Sequence, residues 1–274
     1  TEDAHGENTA IGYQALKDLN AGQAGNNVAV GYVAGANVTT GIKNVLIGST
    51  TGDALTDADF NVAVGFGALT TDTQGSRSTA VGYNALNAQN FTTQTESLNT
   101  AIGFGAGGSI TTGTANTVIG SEAGDSLTTG TQNVAIGVDA LGQEDTASYN
   151  VAIGREALKT QNGGEYNVAV GRTAGMLITT GINNTLIGGN VGDALTDADF
   201  NVALGTHALT LDTLGSKSTA LGYFALGNQN FTTATNSYNL AVGYHAGLAI
   251  TTGQYNNLIG GLAGDALTVG RNNT

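Results

Sequence analysis

The chain has 274 residues, with 8 basic and 21 acidic side chains, a formal net charge of −13, 43 glycines, and neither cysteine nor proline. Without cysteine there is no disulfide framework and no thiolate metal site, and eight scattered cations argue against nucleic acid or an anionic membrane as a partner. No stretch approaches the roughly 18 continuous apolar residues of a membrane span.

The glycines recur at a fixed period, which predicts the elements in chain order. The phrase Asn-x-Ala-(Ile/Val)-Gly closes on an anchor glycine, and a 17-residue interval separates most neighbouring anchors, with three longer intervals. The fifteen anchors are Gly12, Gly31, Gly48, Gly65, Gly82, Gly103, Gly120, Gly137, Gly154, Gly171, Gly188, Gly205, Gly222, Gly243 and Gly260. So short a period indicates a solenoid, whose units pack against their neighbours.

Each anchor follows a predicted strand. Ile, Val or Leu stands one position before the glycine, and in most coils Val or Thr stands three positions before it, usually with Ala between them. This alternation is typical of a short strand. We expect the residue just before the anchor to face the core and the middle residue, such as Ala63 or Ala135, to face away. The sequence therefore predicts an all-β protein, a parallel β-solenoid (β-roll) of about fifteen 17-residue coils, forming one continuous domain over 1–274.

The middle strand position also bears on self-association. Small Ala side chains there, as at Ala152 and Ala203, would let another chain approach closely. Larger residues occupy the same column in four coils: Leu46, Val118, Leu186 and Leu258. If they face solvent, they favour a homo-oligomer.

A second regularity predicts how the core is filled. Seven coils have Leu four residues after the anchor, namely Leu16, Leu69, Leu86, Leu141, Leu158, Leu209 and Leu226. The other eight have Gly there and an aliphatic residue three places later: Val38, Leu55, Ile110, Leu127, Ile178, Leu195, Ile250 and Leu267. We infer that one core slot per coil is filled from either position, because the interior must be packed to constant density.

Asparagine stands four residues before the anchor in thirteen coils, and serine in the other two, Ser78 and Ser218. The thirteen are Asn8, Asn27, Asn44, Asn61, Asn99, Asn116, Asn133, Asn150, Asn167, Asn184, Asn201, Asn239 and Asn256. Asn bonds its own turn and can form ladders between stacked chains. We interpret this column as a structural turn or ladder.

A larger repeat overlies the small one, because the segment 52–63 recurs without change at 192–203. The two longest intervals between anchors carry related inserts around Asn90-Phe91-Thr92-Thr93 and Asn230-Phe231-Thr232-Thr233. Neither end of the sequence looks like a cap, and a bare terminal coil exposes apolar interior and unpaired strand edges. We therefore expect a segment of a longer fibre, or a subunit that stacks end to end on identical ones.

The phrases Asn133-Val134-Ala135-Ile136-Gly137 and Asn150-Val151-Ala152-Ile153-Gly154 resemble the head repeats of trimeric autotransporter adhesins (YadA-like heads), and similar repeats look like those of phage tail fibres. The resemblance covers nearly the whole chain, although the units here are longer than those of the adhesin heads. It implies a left-handed parallel β-roll, a homotrimer, display outside the cell, and binding to a host or surface receptor.

Catalytic patterns are missing from the sequence. An active site should interrupt the repeat, and the least periodic candidates, His5, His207 and His245, are interpreted as surface substitutions. No Ser, His and Asp recur together, and there is no phosphate-binding Gly-x-x-x-x-Gly-Lys loop. We expect no enzyme activity and no cofactor.

Acidic residues are the best metal candidates. They form one cluster, Asp53, Asp57 and Asp59, and its copy, Asp193, Asp197 and Asp199. Oxygen ligands suit Ca²⁺, but the spacing matches neither an EF-hand nor a calcium-binding nonapeptide roll. Solvated charge explains the clusters equally well, so we assign no metal and keep these six as weak calcium candidates.

Two further columns suggest other functions. Thr lies eight residues after the anchor in every Gly-type coil, for example Thr39 and Thr111, and a flat Thr rank is typical of ice-binding solenoids. Asn or Asp interrupts this rank after every two coils.

Aromatic residues follow many anchors, and they indicate packing between chains more than a glycan platform. They are Tyr13, Tyr32, Phe66, Tyr83, Phe104, Tyr223 and Tyr244.

The sequence thus predicts a non-enzymatic structural or adhesive fibre module, located extracellularly, at the cell surface or in a virion fibre. An adhesin head and a self-assembling filament are adjacent interpretations. A phage tail-fibre or receptor-binding shaft is one alternative, and an ice-binding solenoid is an alternative of another class.

Overall fold

A computed structural model describes residues 7–20, 24–143 and 146–274. It shows an all-β parallel β-solenoid of about 14 turns, with no helix in these ranges. The predicted all-β parallel β-solenoid is therefore confirmed, and the fifteen sequence anchors correspond to fifteen strand-bearing rungs joined by about 14 turns. None of the described segments is a helix that could cross a membrane.

The strands are very short, three residues at each anchor and two in each additional strand. In chain order they are β1 Thr9–Ile11, β2 Val28–Val30, β3 Val45–Ile47, β4 Val62–Val64, β5 Gly75–Ser76, β6 Thr79–Val81, β7 Thr95–Glu96, β8 Thr100–Ile102, β9 Thr117–Ile119, β10 Val134–Ile136, β11 Val151–Ile153, β12 Val168–Val170, β13 Thr185–Ile187, β14 Val202–Leu204, β15 Gly215–Ser216, β16 Thr219–Leu221, β17 Thr235–Asn236, β18 Leu240–Val242 and β19 Asn257–Ile259.

The chain divides into two compact units, Thr1–Ala135 and Ile136–Thr274, and β10 contains the boundary. In the first unit the parallel sheet runs β1-β2-β3-β4-β6-β8-β9, with a small sheet of β5 and β7. In the second unit it runs β11-β12-β13-β14-β16-β18-β19, with a small sheet of β15 and β17. A single domain over 1–274 stays a prediction.

Equivalent residues of neighbouring turns lie directly above one another. Ala29 pairs with Leu46 of the next turn, and the Gly48 N–H donates to the Val30 carbonyl at 2.8 Å. The anchor glycines stack closely: a Cβ on Gly31, whose φ is +144°, would lie 2.1 Å from the Gly48 carbonyl oxygen. Only glycine fits this column, because the backbones touch and φ is positive.

The predicted orientation of the strand side chains was wrong. The middle residue faces the core and is fully buried, as at Ala63 and Ala135. The residue just before the anchor faces outward: Ile47 is 39% and Leu204 is 51% exposed. The interior is narrow and already filled by side chains from the turns, so it accepts Ala and leaves the branched residues outside.

The four large residues in the middle column were also misplaced. Leu46, Val118 and Leu186 are fully buried and Leu258 is 7% exposed. Their side chains fill the space left by the glycines of the Gly-type coils: Cβ atoms on Gly35 and Gly52 would lie 2.7 and 2.8 Å from the two methyl groups of Leu46. These residues therefore complete the core and say nothing about oligomerisation.

Both sets of aliphatic residues reach the core as predicted, but they do not simply exchange one slot. The Leu side chains of the Leu-type coils are buried, and so are the later aliphatic residues of the Gly-type coils from Val38 to Ile250. Leu267 in the last turn is half-buried. The later position is buried in Leu-type coils as well, where it holds a polar residue such as Asp72 or Gln89.

The asparagine column forms a buried ladder within each unit. The Oδ1 of one Asn accepts the backbone N–H of the next, as between Asn44 and Asn61 at 2.9 Å. Its Nδ2 donates to a carbonyl of the following turn, as from Asn61 to Gly75 at 2.9 Å. Each side chain therefore ties the start of one strand to the turn before the next.

Candidate functional site

The exposed apolar surface is concentrated on one side of each unit. We call it the sheet face, defined as the residues three and one before each anchor and the residue after it. In the first unit its exposed large apolar side chains are Ile11, Tyr13, Tyr32, Ile47, Val62, Phe66, Tyr83, Ile102 and Phe104. In the second they are Val138, Ile187, Val202, Leu204, Tyr223, Tyr244 and Ile259. So many exposed apolar side chains on one side are typical of an interaction surface.

The sheet face is almost free of charge. None of the 21 acidic residues stands at its positions, and Arg155 and Arg172 are the only basic ones. The exposed acidic residues of the described ranges therefore lie on the rest of the surface. Such separation of apolar and acidic surface is the pattern expected where one side of a molecule is covered.

The aromatic column of the sheet face stacks along the solenoid. Tyr13 and Tyr32 lie with ring centroids 5.4 Å apart and planes at 10°, and Tyr83 stacks on Phe66 and Phe104 at 5.6 and 5.1 Å. Since neighbouring rings cover each other's faces, the column presents ring edges outward. Edges suit packing against another protein better than stacking on a sugar.

A second exposed column flanks the strands on their other side. We call it the corner column, the residues five before each anchor, which adopt positive φ from Asn26 onward. Tyr149 stacks on Tyr166 at 4.9 Å. In the first unit Phe60 lies between two cations, Lys43 at 5.0 Å and Arg77 at 5.7 Å from the ring centroid.

Beside Phe60 the first insert forms an open groove of about 280 Å³. We call it the insert groove, lined by Asp59, Phe60, Ser76, Arg77, Gln94 and Glu96 among others. Pairing of β5 with β7 places Ser76 beside Glu96. Sequence reasoning noted the insert as an irregular interval but did not predict that it shapes a surface site.

The weak calcium candidates do not converge on one point. In the first cluster Asp53 accepts from Thr70, Asp57 accepts from Thr40, and Asp59 accepts from the Ile42 N–H at 2.8 Å.

The second cluster repeats this arrangement. Asp193 accepts from Thr210, Asp197 accepts from Thr180, and Asp199 accepts from the Ile182 N–H. Across the ranges that the structure describes, no three His, Cys, Asp or Glu residues form a group that could hold a metal. These carboxylates instead tie one turn to the next.

The threonine rank is turned toward the backbone. Thr39 Oγ1 donates to the Thr56 carbonyl and Thr56 Oγ1 to the Thr73 carbonyl, both at 3.1 Å, and Thr111 Oγ1 donates to the Thr128 carbonyl at 3.2 Å. Because these hydroxyls are hydrogen-bonded to backbone carbonyls, they do not form the free, flat array that would match ice. The contacts give ice binding no support.

Two of the three histidines join an aromatic cluster in the second unit, and His5 lies outside the described residues. His207 stacks on Phe224 at 4.6 Å and His245 on Tyr244 at 3.9 Å. Both are half-buried. Both imidazoles thus pack against aromatic rings.

A buried polar network was missed by the sequence reasoning. Asp212 occupies the slot that is aliphatic in Gly-type coils, and its carboxylate accepts from Gln229 Nε2 at 2.5 Å and from the N–H groups of Gly215 and Phe231 at 3.0 Å. Burial raises the pKa of the Asp212 carboxyl, against the lowering effect of these hydrogen bonds.

The first unit contains the same network. Asp72 accepts from Gln89 Nε2 and from the N–H groups of Gly75 and Phe91. Because Phe91 and its counterpart Phe231 begin the inserted segments, each network anchors one insert to the core.

No family model matches the chain, and no curated protein matches it.

Proposed function

We propose that this chain is a non-enzymatic structural or adhesive fibre module that works as a homo-oligomer with the sheet face at the contact between copies. The observation that carries the proposal is the sheet face itself: exposed branched and aromatic side chains in register, with no acidic residue among them. The repeat phrases, which resemble adhesin heads, support a trimer of left-handed rolls displayed outside the cell. The same surface would serve a phage fibre shaft.

The size of the face supports this proposal. Seven strands spaced by about 4.8 Å, each about 13 Å wide between the outer columns, give roughly 400 Å² in each unit. Each unit alone thus offers about half of the roughly 800 Å² that one partner contributes to a standard protein interface. Burying branched and aromatic side chains at about 25 cal/mol per Å² would favour association.

The proposal is tested by the mass in solution, measured by sedimentation equilibrium. We expect a mass of three times 27.3 kDa for the native chain. Replacing the outward Val168 and Val170 of β12 by Lys places two charges in the contact and should yield the monomer. The matched control, Thr180→Lys, lies on the exposed side of the same turn and should keep the native mass.

A native chain that sediments at 27.3 kDa would overturn the proposal, and so would a Val168→Lys, Val170→Lys variant that keeps the oligomer. Circular dichroism of each variant checks that the strands remain.

A further inference from the structure

Two exposed columns flank the strands on opposite sides. One is the corner column, five residues before each anchor, and the other is the post-anchor column, the residues that directly follow the anchors. The strand between them separates the two columns by about 15–20 Å along an extended chain, which is beyond the reach of a hydrogen bond. Residues of one turn that stand in different columns therefore meet only if a second copy brings them together.

The basic residues of these columns are matched within their own turns. Five turns carry a cation in one column, and none of these five carries a charge in the other. In four of the five the opposite residue is tyrosine, and in the fifth Lys43 stands opposite Ser49. The cation lies in the corner column in two of the four pairs and in the post-anchor column in the other two, so the match follows the turn and not the column. The four pairs are Arg77 with Tyr83, Tyr149 with Arg155, Tyr166 with Arg172, and Lys217 with Tyr223.

The matched residue is one that can accept a hydrogen bond. A tyrosine hydroxyl accepts from a guanidinium or an ammonium group, and such bonds are strengthened by the charge of the donor. A phenylalanine ring offers no such acceptor, and no phenylalanine of these columns stands opposite a cation. Phe60 stands opposite Phe66, Phe104 opposite Leu98, and Phe200 opposite Thr206.

The matched side chains are accessible to a second copy. The four tyrosines are between 43% and 54% exposed. The Arg155 side chain is 60% exposed and bonds Glu156 at 3.3 Å, and a guanidinium has further N–H donors. Within one chain, Lys217 Nζ donates to the Tyr238 hydroxyl at 3.4 Å, so contacts of this chemistry already occur on this surface.

We propose that copies of this chain associate parallel and in register, with the corner column of one copy against the post-anchor column of the next. Each matched cation then donates to the tyrosine hydroxyl of the same turn in the neighbouring copy. A cyclic assembly whose axis runs along the solenoid produces this arrangement, because rotation about that axis keeps every turn at its own height. Antiparallel copies would place different turns opposite one another and lose the match. This inference rests on the proposed homo-oligomer and specifies how its copies face each other.

Cysteine crosslinking tests the register, since the native chain has no cysteine. Asn183 and Gly189 stand in the two columns of one turn, and a Cβ on Gly189 would meet nothing within 4 Å. We expect a short bismaleimide to join copies of the Asn183→Cys, Gly189→Cys variant. It should join no copies of either single variant, because identical columns lie on opposite flanks of the contact. The matched control, Asn183→Cys with Gly261→Cys, sets the two cysteines four turns, or about 19 Å, apart in height and should not crosslink.

Removal of one hydroxyl tests the hydrogen bond. Tyr166→Phe keeps the ring opposite Arg172 but removes the acceptor, and it should weaken association about tenfold, as expected for a hydrogen bond to a charged group. Tyr255→Phe makes the same change in the same column opposite Gly261 and should associate as the native chain does. Sedimentation equilibrium measures both variants.

Three crosslinking results would overturn the inference: crosslinks in a single variant, crosslinks in the Gly261→Cys control, or none in an oligomeric Asn183→Cys, Gly189→Cys variant. Equal association of the Tyr166→Phe and Tyr255→Phe variants would overturn it as well. Sedimentation of the same samples separates this failure from that of the proposed function, because an oligomer with the wrong crosslinks refutes only the register, whereas a native monomer refutes the contact between copies.

Discussion

Removing one rung of the asparagine ladder should cost far more stability than its size suggests. Asn116 is fully buried. Its Oδ1 accepts the Asn133 N–H at 2.9 Å, and its Nδ2 donates to the Gly130 carbonyl at 2.8 Å. Its own backbone N–H is bonded by Asn99 Oδ1 at 2.9 Å, which a substitution at position 116 leaves in place. Asn116→Ala therefore orphans two buried backbone groups.

The magnitude follows from those two groups. Each buried donor or acceptor left without a partner costs about 1–3 kcal/mol, so we expect a loss of roughly 4 kcal/mol in the free energy of unfolding. Asn116→Asp measures the loss of the donor alone. It keeps the oxygen that accepts the Asn133 N–H but places a second oxygen against the Gly130 carbonyl. Burial of that new carboxylate would raise its pKa. Its cost should therefore shrink as the pH falls, since the protonated carboxyl can donate to Gly130.

Urea unfolding followed by circular dichroism measures these losses, and amide exchange at Asn133 reports them locally. Thr112→Ala, an exposed change in the preceding turn, is the control and should stay within about 0.5 kcal/mol. A cost below about 1 kcal/mol for Asn116→Ala, or an Asn116→Asp variant as stable as the native chain at pH 7, would refute the reasoning.

Three further results follow from the core, the anchors and the buried carboxyl. Leu186→Ala empties the space beside two glycines and should lower the free energy of unfolding in urea by about 3 kcal/mol. Leu177 is 40% exposed, so Leu177→Ala should lower it by less than about 1 kcal/mol. Equal losses would contradict the inward orientation of Leu186. At Gly205, φ is +134° and an added Cβ would lie 2.4 Å from the Gly222 carbonyl oxygen. Gly205→Ala should therefore lower the free energy of unfolding by at least about 2 kcal/mol, seen as a lower melting temperature. An unchanged melting temperature would be inconsistent with stacked anchors. The raised pKa of Asp212 means that its stabilising contribution is complete below its ordinary pKa and is lost as the pH rises through the folded value; the melting temperature should fall over that window in the native chain and not in Asp212→Asn.

The repeat made the architecture predictable because its period, residue types and stacking rules agree. Gly at every anchor, a branched residue before it and Asn three places earlier still leave few alternatives to stacked parallel strands. Leu69 and its equivalents fill the core of Leu-type coils, and Leu55 and its equivalents fill that of Gly-type coils. This pattern could be predicted because the need to fill the core links the two positions within one turn. Both features depend on residues that recur in every turn.

The orientation of the strands was not predictable from alternation alone. A period of two says that Ala63 and its neighbours face opposite ways, but not which side is the core. Hydrophobicity favours the branched residues inside, and this inference failed because the turn residues already fill the narrow interior. The pairing of Leu46 with Gly35 and Gly52 was the available signal, since a large residue appears in that column where two stacked turns lack Leu.

The candidate sites depend on contacts that no periodicity encodes. The buried Asp212 and Gln229 look like ordinary turn residues, and only the packed structure shows that they hold an insert. The groove beside Phe60 likewise depends on where the inserted residues place Gln94 and Glu96. An irregular interval in the repeat therefore predicts the location of such a site but not the contacts within it.

The most direct test of the account is the advance per turn, measured by dipolar EPR between nitroxides at Thr40→Cys and Thr112→Cys. The native chain has no cysteine, and both positions are exposed and lie nine residues after their anchors, four rungs apart. Stacked rungs predict a separation of about 19 Å, four times the spacing of about 4.8 Å between strands, broadened by the label arms. A main distance beyond about 40 Å, or no defined distance, would contradict the stacking on which the core, the sheet face and the groove all depend.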